Sequence, residues 1–148
     1  MSMERTFTLC EAQDLLPLLD SLLQTAMRAH RQVTALDHEL HDLISHILIS
    51  GGVQVDPIHA SRLRAERERS GQQLEDAVRE IASSGAQLKD LEHGLLDFPC
   101  LYHGQIVLLC WKHGEDAIAH WHTTQEGFAN RKPLDPSMYG TDSPPHVH

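Results

Sequence analysis

Residues 85–123, GAQLKDLEHGLLDFPCLYHGQIVLLCWKHGEDAIAHWHT, decide the fold. Apolar and polar residues alternate here with a period near two, and turn-forming triplets interrupt them at Glu92-His93-Gly94, Tyr102-His103-Gly104 and His113-Gly114-Glu115. The pattern predicts four short strands, Gln87–Leu91, Leu95–Pro99, Gln105–Trp111 and Ala117–His122. Connections this short join antiparallel neighbours, so residues 86–123 are expected to form a β-meander.

Upstream of Gly85 the period is helical. Thr8-Leu9-Cys10-Glu11 has the capping-box form: the Thr8 hydroxyl can accept from the Glu11 backbone N–H while the Glu11 carboxylate reaches back. From there Leu15, Leu19, Leu22, Ala26, Ala29, Val33, Leu36, Leu40, Leu43 and Ile47 step by four and three, a heptad seam. Pro17 lies inside it and predicts a kink or a separately capped first segment, and Gly51-Gly52 stops the helix. Asp56-Pro57 starts a second helix, with a weaker seam through Ala60, Leu63, Arg67, Ser70, Leu74, Ala77 and Ile81. Helices first and strands second make an α+β chain: a long antiparallel helical hairpin over 8–83, then a small four-stranded meander. A single domain is expected over 1–135, with a flexible tail at 136–148 that carries His146 and His148. The first helix is much longer than the second, so its apolar surface exceeds what the second can cover. The sheet or a second copy must cover the rest, and a homodimer through the first helix is expected.

The chain has 148 residues, 21 acidic against 12 basic, and a formal net charge of −9. That balance argues against a broad phosphate-gripping face, so no nucleic-acid partner is expected. The alternating charges around Arg62, Arg64, Glu66 and Glu68 read as a salt-bridged helix surface. Three cysteines without a C-x-x-C pair offer neither a disulfide framework nor a zinc knuckle. No stretch has signal-peptide or membrane-span character, so a cytoplasmic protein is expected.

Phe7–Pro17, FTLCEAQDLLP, and the block GLLDFP, LLCW, GE, WH and GFANRKPL carry a more specific signal. The chain resembles the uncharacterised bacterial family catalogued as domain of unknown function 2203. The resemblance rests on Phe7, Thr8, Glu11, Ala12, Lys89, Asp90, Gly94, Asp97, Phe98, Pro99, Cys110, Trp111, Gly114, Glu115, Trp121, His122, Gly127, Phe128 and Arg131. It covers most of the chain and implies no activity. The sequence departs from the family pattern where an acidic residue usually follows Trp-His soon after; here Thr123, Thr124 and Gln125 stand instead.

The chemistry concentrates in the same block. His120 and His122, one residue apart on a predicted strand, present two imidazoles on one face. Asp97, between Leu96 and Phe98 on a neighbouring strand, supplies a third donor. Imidazole with carboxylate suits a divalent zinc, iron or manganese ion. The blander reading has His122 donating to a backbone carbonyl or to Asp97, and His120 exposed. Cys110, alternating with Leu108 and Ile106, is expected to face a core. It is a secondary candidate, as a metal thiolate or as a nucleophile with His122 as base, and a hairpin register ambiguous by one residue decides between same and opposite faces. Glu115 reads as a turn residue. Arg131 can clamp Asp97, Glu115 or an anion through its fork. Trp111 and Trp121 read as a cross-strand pair. On the first helix His38, Asp42 and His46 stack at i,i+4 as a solvated face. Two functions are therefore expected to compete. One is a metal-binding protein, with hydrolase or oxygen chemistry on an unknown small molecule left open, and its site near Asp97 and His122. The other is a non-enzymatic homo-oligomeric assembly module in which the strands are a structural cap.

Overall fold

The computed structural model describes residues 5–51 and 56–138. Helix α1 runs from Leu9 to Ser50 and α2 from Pro57 to Ser83. At 1.5 Å per residue, the 42 and 27 residues span about 63 Å and about 40 Å. Both expected N-caps form. Thr8 and Glu11 make the reciprocal capping box, and the Asp56 carboxylate accepts from the Ile58 and His59 backbone N–H groups with Pro57 at the first helical position. Gly51 closes α1 in the left-handed conformation, φ 73°, which a residue without Cβ adopts at no cost. Pro17 does not divide α1: the helix is continuous through it, and no separate cap appears.

The buried face of α1 is Leu9, Ala12, Leu16, Leu19, Leu23, Ala26, Ala29, Val33 and Leu36. Of the expected seam, Leu19, Ala26, Ala29, Val33 and Leu36 lie on this stripe, while Leu15 and Leu22 are only partly buried beside Leu16 and Leu23; the stripe is consumed within the chain, against α2 and the sheet. Beyond Leu36, Leu40, Leu43 and Ile47 are only half-buried. Ile44, Leu48 and Ile49 on α1 and Ile58 on α2 are exposed near the far end of the hairpin. Arg67 reaches across the hairpin to Asp37 at 2.9 Å, and the Ser70 hydroxyl to the Gln32 side-chain amide oxygen at 3.3 Å.

The sheet has five antiparallel strands in simple chain order: β1 Gln87–Asp90, β2 Leu95–Tyr102, β3 Gln105–Lys112, β4 His120–Thr123 and β5 Lys132–Pro133. The α+β class and helical hairpin are as expected, but the count of four strands is corrected to five. The added β5 is two residues long and contains a proline, so it has no alternation to betray it. Strand β2 also runs past Pro99. The Pro99 carbonyl accepts from the Phe7 backbone N–H at 2.7 Å, and a residue's N and O point to the same edge of a strand. The proline nitrogen therefore faces an edge that β1, starting at Gln87 opposite Asp97, does not reach, and no ladder bond is lost. Trp121 stands opposite Leu109, not Trp111, which corrects the expected tryptophan pair; its ring lies 6.5 Å from that of Tyr102.

One sheet face packs on the helices. Leu96, Phe98 and Cys100 of β2 and Val107, Leu109 and Trp111 of β3 join Phe7, Leu16, Leu19, Leu23 and Ile81 in the main core. Phe7 meets Phe98 edge to face at 5.4 Å. Packing continues past residue 135: Met138, assigned by its composition to a flexible tail, is buried in this core, while 139–148 lie outside the described residues. No helix among the described residues is long and apolar enough to cross a membrane. The opposite sheet face carries the polar cluster.

Candidate metal centre

Register fixes what meets on that second face. Asp97 pairs with Cys110, Cys110 with His120, and Leu108 with His122. Alternation then puts Asp97, Cys110, His120 and His122 on the face turned away from the helices. The segment after β4 covers this face: Thr124, Glu126, Gly127 and Phe128 line a cavity of about 150 Å³ together with Asp97, Cys110 and His122. Cys110 is thus buried, but in this second layer rather than in the main core.

Asp97, Cys110 and His122 each offer one ligand atom, and the three atoms lie within 4.8 Å of one another. The His122 and Asp97 side chains are each 3% exposed. His122 Nδ1 is 2.8 Å from the Thr123 carbonyl oxygen, which can only accept, so Nδ1 carries a proton. That bond turns Nε2 toward Asp97, 3.2 Å from Oδ1 and 3.1 Å from Oδ2. A carboxylate and a bare ring nitrogen cannot rest at this distance on their own. Either a proton or a cation must lie between them. Burial raises the Asp97 carboxyl above its ordinary range, against the opposing charge and hydrogen bond of His122. Burial, with the Asp97 charge, also pushes the Cys110 thiol up to about 11, although Arg131 pulls the other way. A thiol held in this form is a poor nucleophile, and the His122 Nε2 is already engaged with Asp97, so the arrangement is not that of a cysteine–histidine dyad.

His120 is not part of the three-residue group. It shares the face, as its spacing from His122 implies, but among the described residues its buried Nδ1 has no hydrogen-bond partner. Of the expected Asp97, His120 and His122, the structure brings Asp97 and His122 together, with Cys110 as the third donor and His120 on the same face outside the group. Glu115 is not a solvated turn residue. Its carboxylate accepts a fork from Arg131, at 3.1 and 2.6 Å, and a bond from the Lys112 backbone N–H at 2.8 Å. Burial alone would raise the Glu115 carboxyl, but the Arg131 and Lys112 contacts outweigh it and hold it below 4.5. Arg131 also lies 4.2 Å from the centre of the Phe128 ring, so it ties Glu115 to the cover of the cluster.

Sequence reasoning missed three further residues of this cavity. Glu126 is the first acid after Trp121-His122; its Oε1 is held by the Thr123 backbone N–H at 3.1 Å and by Lys132 at 2.6 Å. Phe128 forms part of the cover. Lys89 enters from the irregularity in β1, where the register slips between Leu88 and Asp90. A larger, open groove of about 830 Å³ between α1 and α2, lined by residues such as Gln32, Glu66, Arg69 and Gln73, brings together no comparable set of donors.

No curated protein matches this chain, and no solved structure does. The sequence profile described as "Uncharacterized conserved protein (DUF2203)" matches residues 5–134. Asp97, Cys110, Glu115, His122, Gly127, Phe128 and Arg131, which carry the resemblance in the sequence, all gather at the cluster or its cover. The chain belongs to the DUF2203 family.

Proposed function

We propose that Asp97, Cys110 and His122 form a divalent-metal centre of the catalytic kind, with three protein donors and a further coordination position open to the cavity. The observation that carries this reading is the convergence of the three donors, with the His122 Nδ1 proton fixed on the Thr123 carbonyl so that Nε2 is left to bind. A histidine ligand is commonly oriented by such a bond from its other nitrogen. The distances suit an ion. Zinc bonds of about 2.0–2.2 Å to nitrogen and oxygen, at tetrahedral angles, separate two such donors by about 3.3 Å, close to the Asp97–His122 contact of 3.1 Å. A cation would also replace the protons that burial favours on Asp97 and Cys110. Cys110 as third donor favours zinc or iron over manganese, because a thiolate is a soft ligand. The chemistry this supports is Lewis-acid activation of water or of a substrate oxygen, with Glu126 on the cavity wall as an unligated carboxylate to move a proton.

The test is metal content of purified, tag-free protein after expression with supplemented zinc or iron. One ion per chain is expected, lost in Asp97→Ala, Cys110→Ala and His122→Ala and kept in His38→Ala and His46→Ala. A folded wild-type protein that takes up no ion, or variants that all bind equally, would overturn the proposal.

One observation favours a second reading, the homo-oligomeric assembly module. Ile44, Leu48, Ile49 and Ile58 leave an exposed apolar surface near the far end of the hairpin, remote from the part of the seam buried within the chain. A second copy of the chain would bury it there. Sedimentation at micromolar concentration should then give twice the monomer mass, and Leu48→Lys should return a monomer.

A further inference from the structure

We infer that the cavity beside the cluster is a binding site for a small carboxylate anion, anchored by Lys89; the inference rests on the metal reading for the anion's second contact. Three observations carry it. The first is the bulge. The register of β1 on β2 runs Gln87 to Asp97 and Leu88 to Leu96, then slips so that Asp90 meets Leu95. Lys89 is the extra residue. Bulges recur beside functional sites. Gln87 stands opposite Asp97, so alternation puts Lys89, two residues on, on the same face, where it lines the wall that also holds Asp97, Cys110 and His122. Among the described residues no carboxylate pairs with Lys89 within ion-pair distance, so its ammonium remains available to a ligand.

The second observation is charge. Over the whole chain acids outnumber bases and the net charge is −9. At the cavity the lining carries Lys89 against Asp97 and Glu126. Lys132 already pairs with Glu126, and Arg131 with Glu115 just outside, which leaves Lys89 against Asp97. A divalent ion adds two further positive charges, and the Cys110 thiolate removes only one. A monoanion reduces that surplus, whereas a neutral ligand does not.

The third observation is size and lining. The volume of about 150 Å³ equals the liquid share of about five waters. Leu95, Leu108 and Phe128 give the cavity apolar wall, and Thr124 adds a hydroxyl. A carboxylate with a short hydrocarbon end fits that combination. Phosphate, polar on every side, does not. The carboxylate would place one oxygen toward the open metal position and the other toward Lys89.

The experiment uses the full chain, zinc-loaded and metal-free, titrated calorimetrically with acetate, propionate and inorganic phosphate, and repeated with Lys89→Met and Lys89→Arg. The cobalt-substituted protein gives a second readout, because its visible absorption reports a new ligand at the ion. Propionate should bind at least as tightly as acetate and more tightly than phosphate, and should change the cobalt spectrum. Lys89→Met should keep full metal content and lose at least about tenfold in propionate affinity, as expected for one charge-assisted contact, and Lys89→Arg should recover part of the loss. An ion bound with no carboxylate affinity, equal affinity in Lys89→Met, or tighter binding of phosphate would each overturn the inference and leave the metal centre standing. Carboxylate binding that depends on Lys89 in a protein that takes up no ion would sustain the anion site and remove the metal reading. Binding of neither ion nor anion would overturn both.

Discussion

Removing His122 isolates the energetic logic of the cluster. In metal-free protein, His122→Ala deletes the imidazole that meets the Asp97 side chain at 3.1 Å, and that carboxyl is 3% exposed. Breaking a buried pair by deleting one partner typically costs about 3–5 kcal/mol, because the other is left desolvated and unpaired. Asp97→Ala should cost a similar amount, since it strands the His122 Nε2 against the same dry surroundings. The double variant removes both groups and with them the penalty for an orphan, so it should cost less than the sum of the two, with a coupling of about 1–3 kcal/mol. The assay is a urea-unfolding cycle of the four proteins in chelator, near pH 7, read by tryptophan fluorescence and comparing midpoints at equal slope. Additive costs, or single losses below about 1 kcal/mol, would mean that water reaches the pair and that its burial is misjudged.

Other perturbations test the frame. Leu109, fully buried against the helices, should cost about 2–5 kcal/mol on replacement by alanine, whereas exposed Leu101 should cost a small fraction of that in the same melts. Gly94→Ala should destabilise strongly. The backbone there has φ 73°, and a Cβ would sit 2.7 Å from the His113 Cβ and 3.0 Å from the Met27 Sδ. The Glu115 carboxyl is held below its ordinary 4.5. Its contribution is therefore present above 4.5 and lost as pH falls through the lower folded value. Arg131→Met removes the chief cause, so stability of that variant should fall less steeply than wild type below pH 4.5; parallel curves would contradict the role given to Arg131.

The fold was legible where local chemistry carries it. Thr8 with Glu11, Asp56 with Pro57, the seam to Leu36 and the change of period at Gly85 each state their structure within a few residues. Strand β5 and the passage of β2 through Pro99 were not, because both depend on partners far away in sequence: Pro133 on His120, and Pro99 on Phe7. The site divides in the same way. Asp97 and His122 stood out as costly residues on strands. Cys110 was legible only as a secondary thiolate, because its meeting with Asp97 and His122 follows from one register and from the Nδ1 bond that turns His122 toward Asp97. Lys89 did not stand out: its face follows from alternation with Gln87, but its place on the cavity wall depends on the pairing of β1 with β2.

The central claim is that one ion sits on a cysteine, a histidine and an aspartate of the sheet. X-ray absorption at the zinc edge tests it most directly, on zinc-loaded protein in which His146 and His148 have been replaced by alanine. The account predicts a single sulfur at about 2.3 Å with nitrogen and oxygen neighbours at about 2.0–2.2 Å, and loss of the sulfur contribution in Cys110→Ser. A shell of nitrogen and oxygen alone in the wild-type cluster, unchanged by Cys110→Ser, would contradict it.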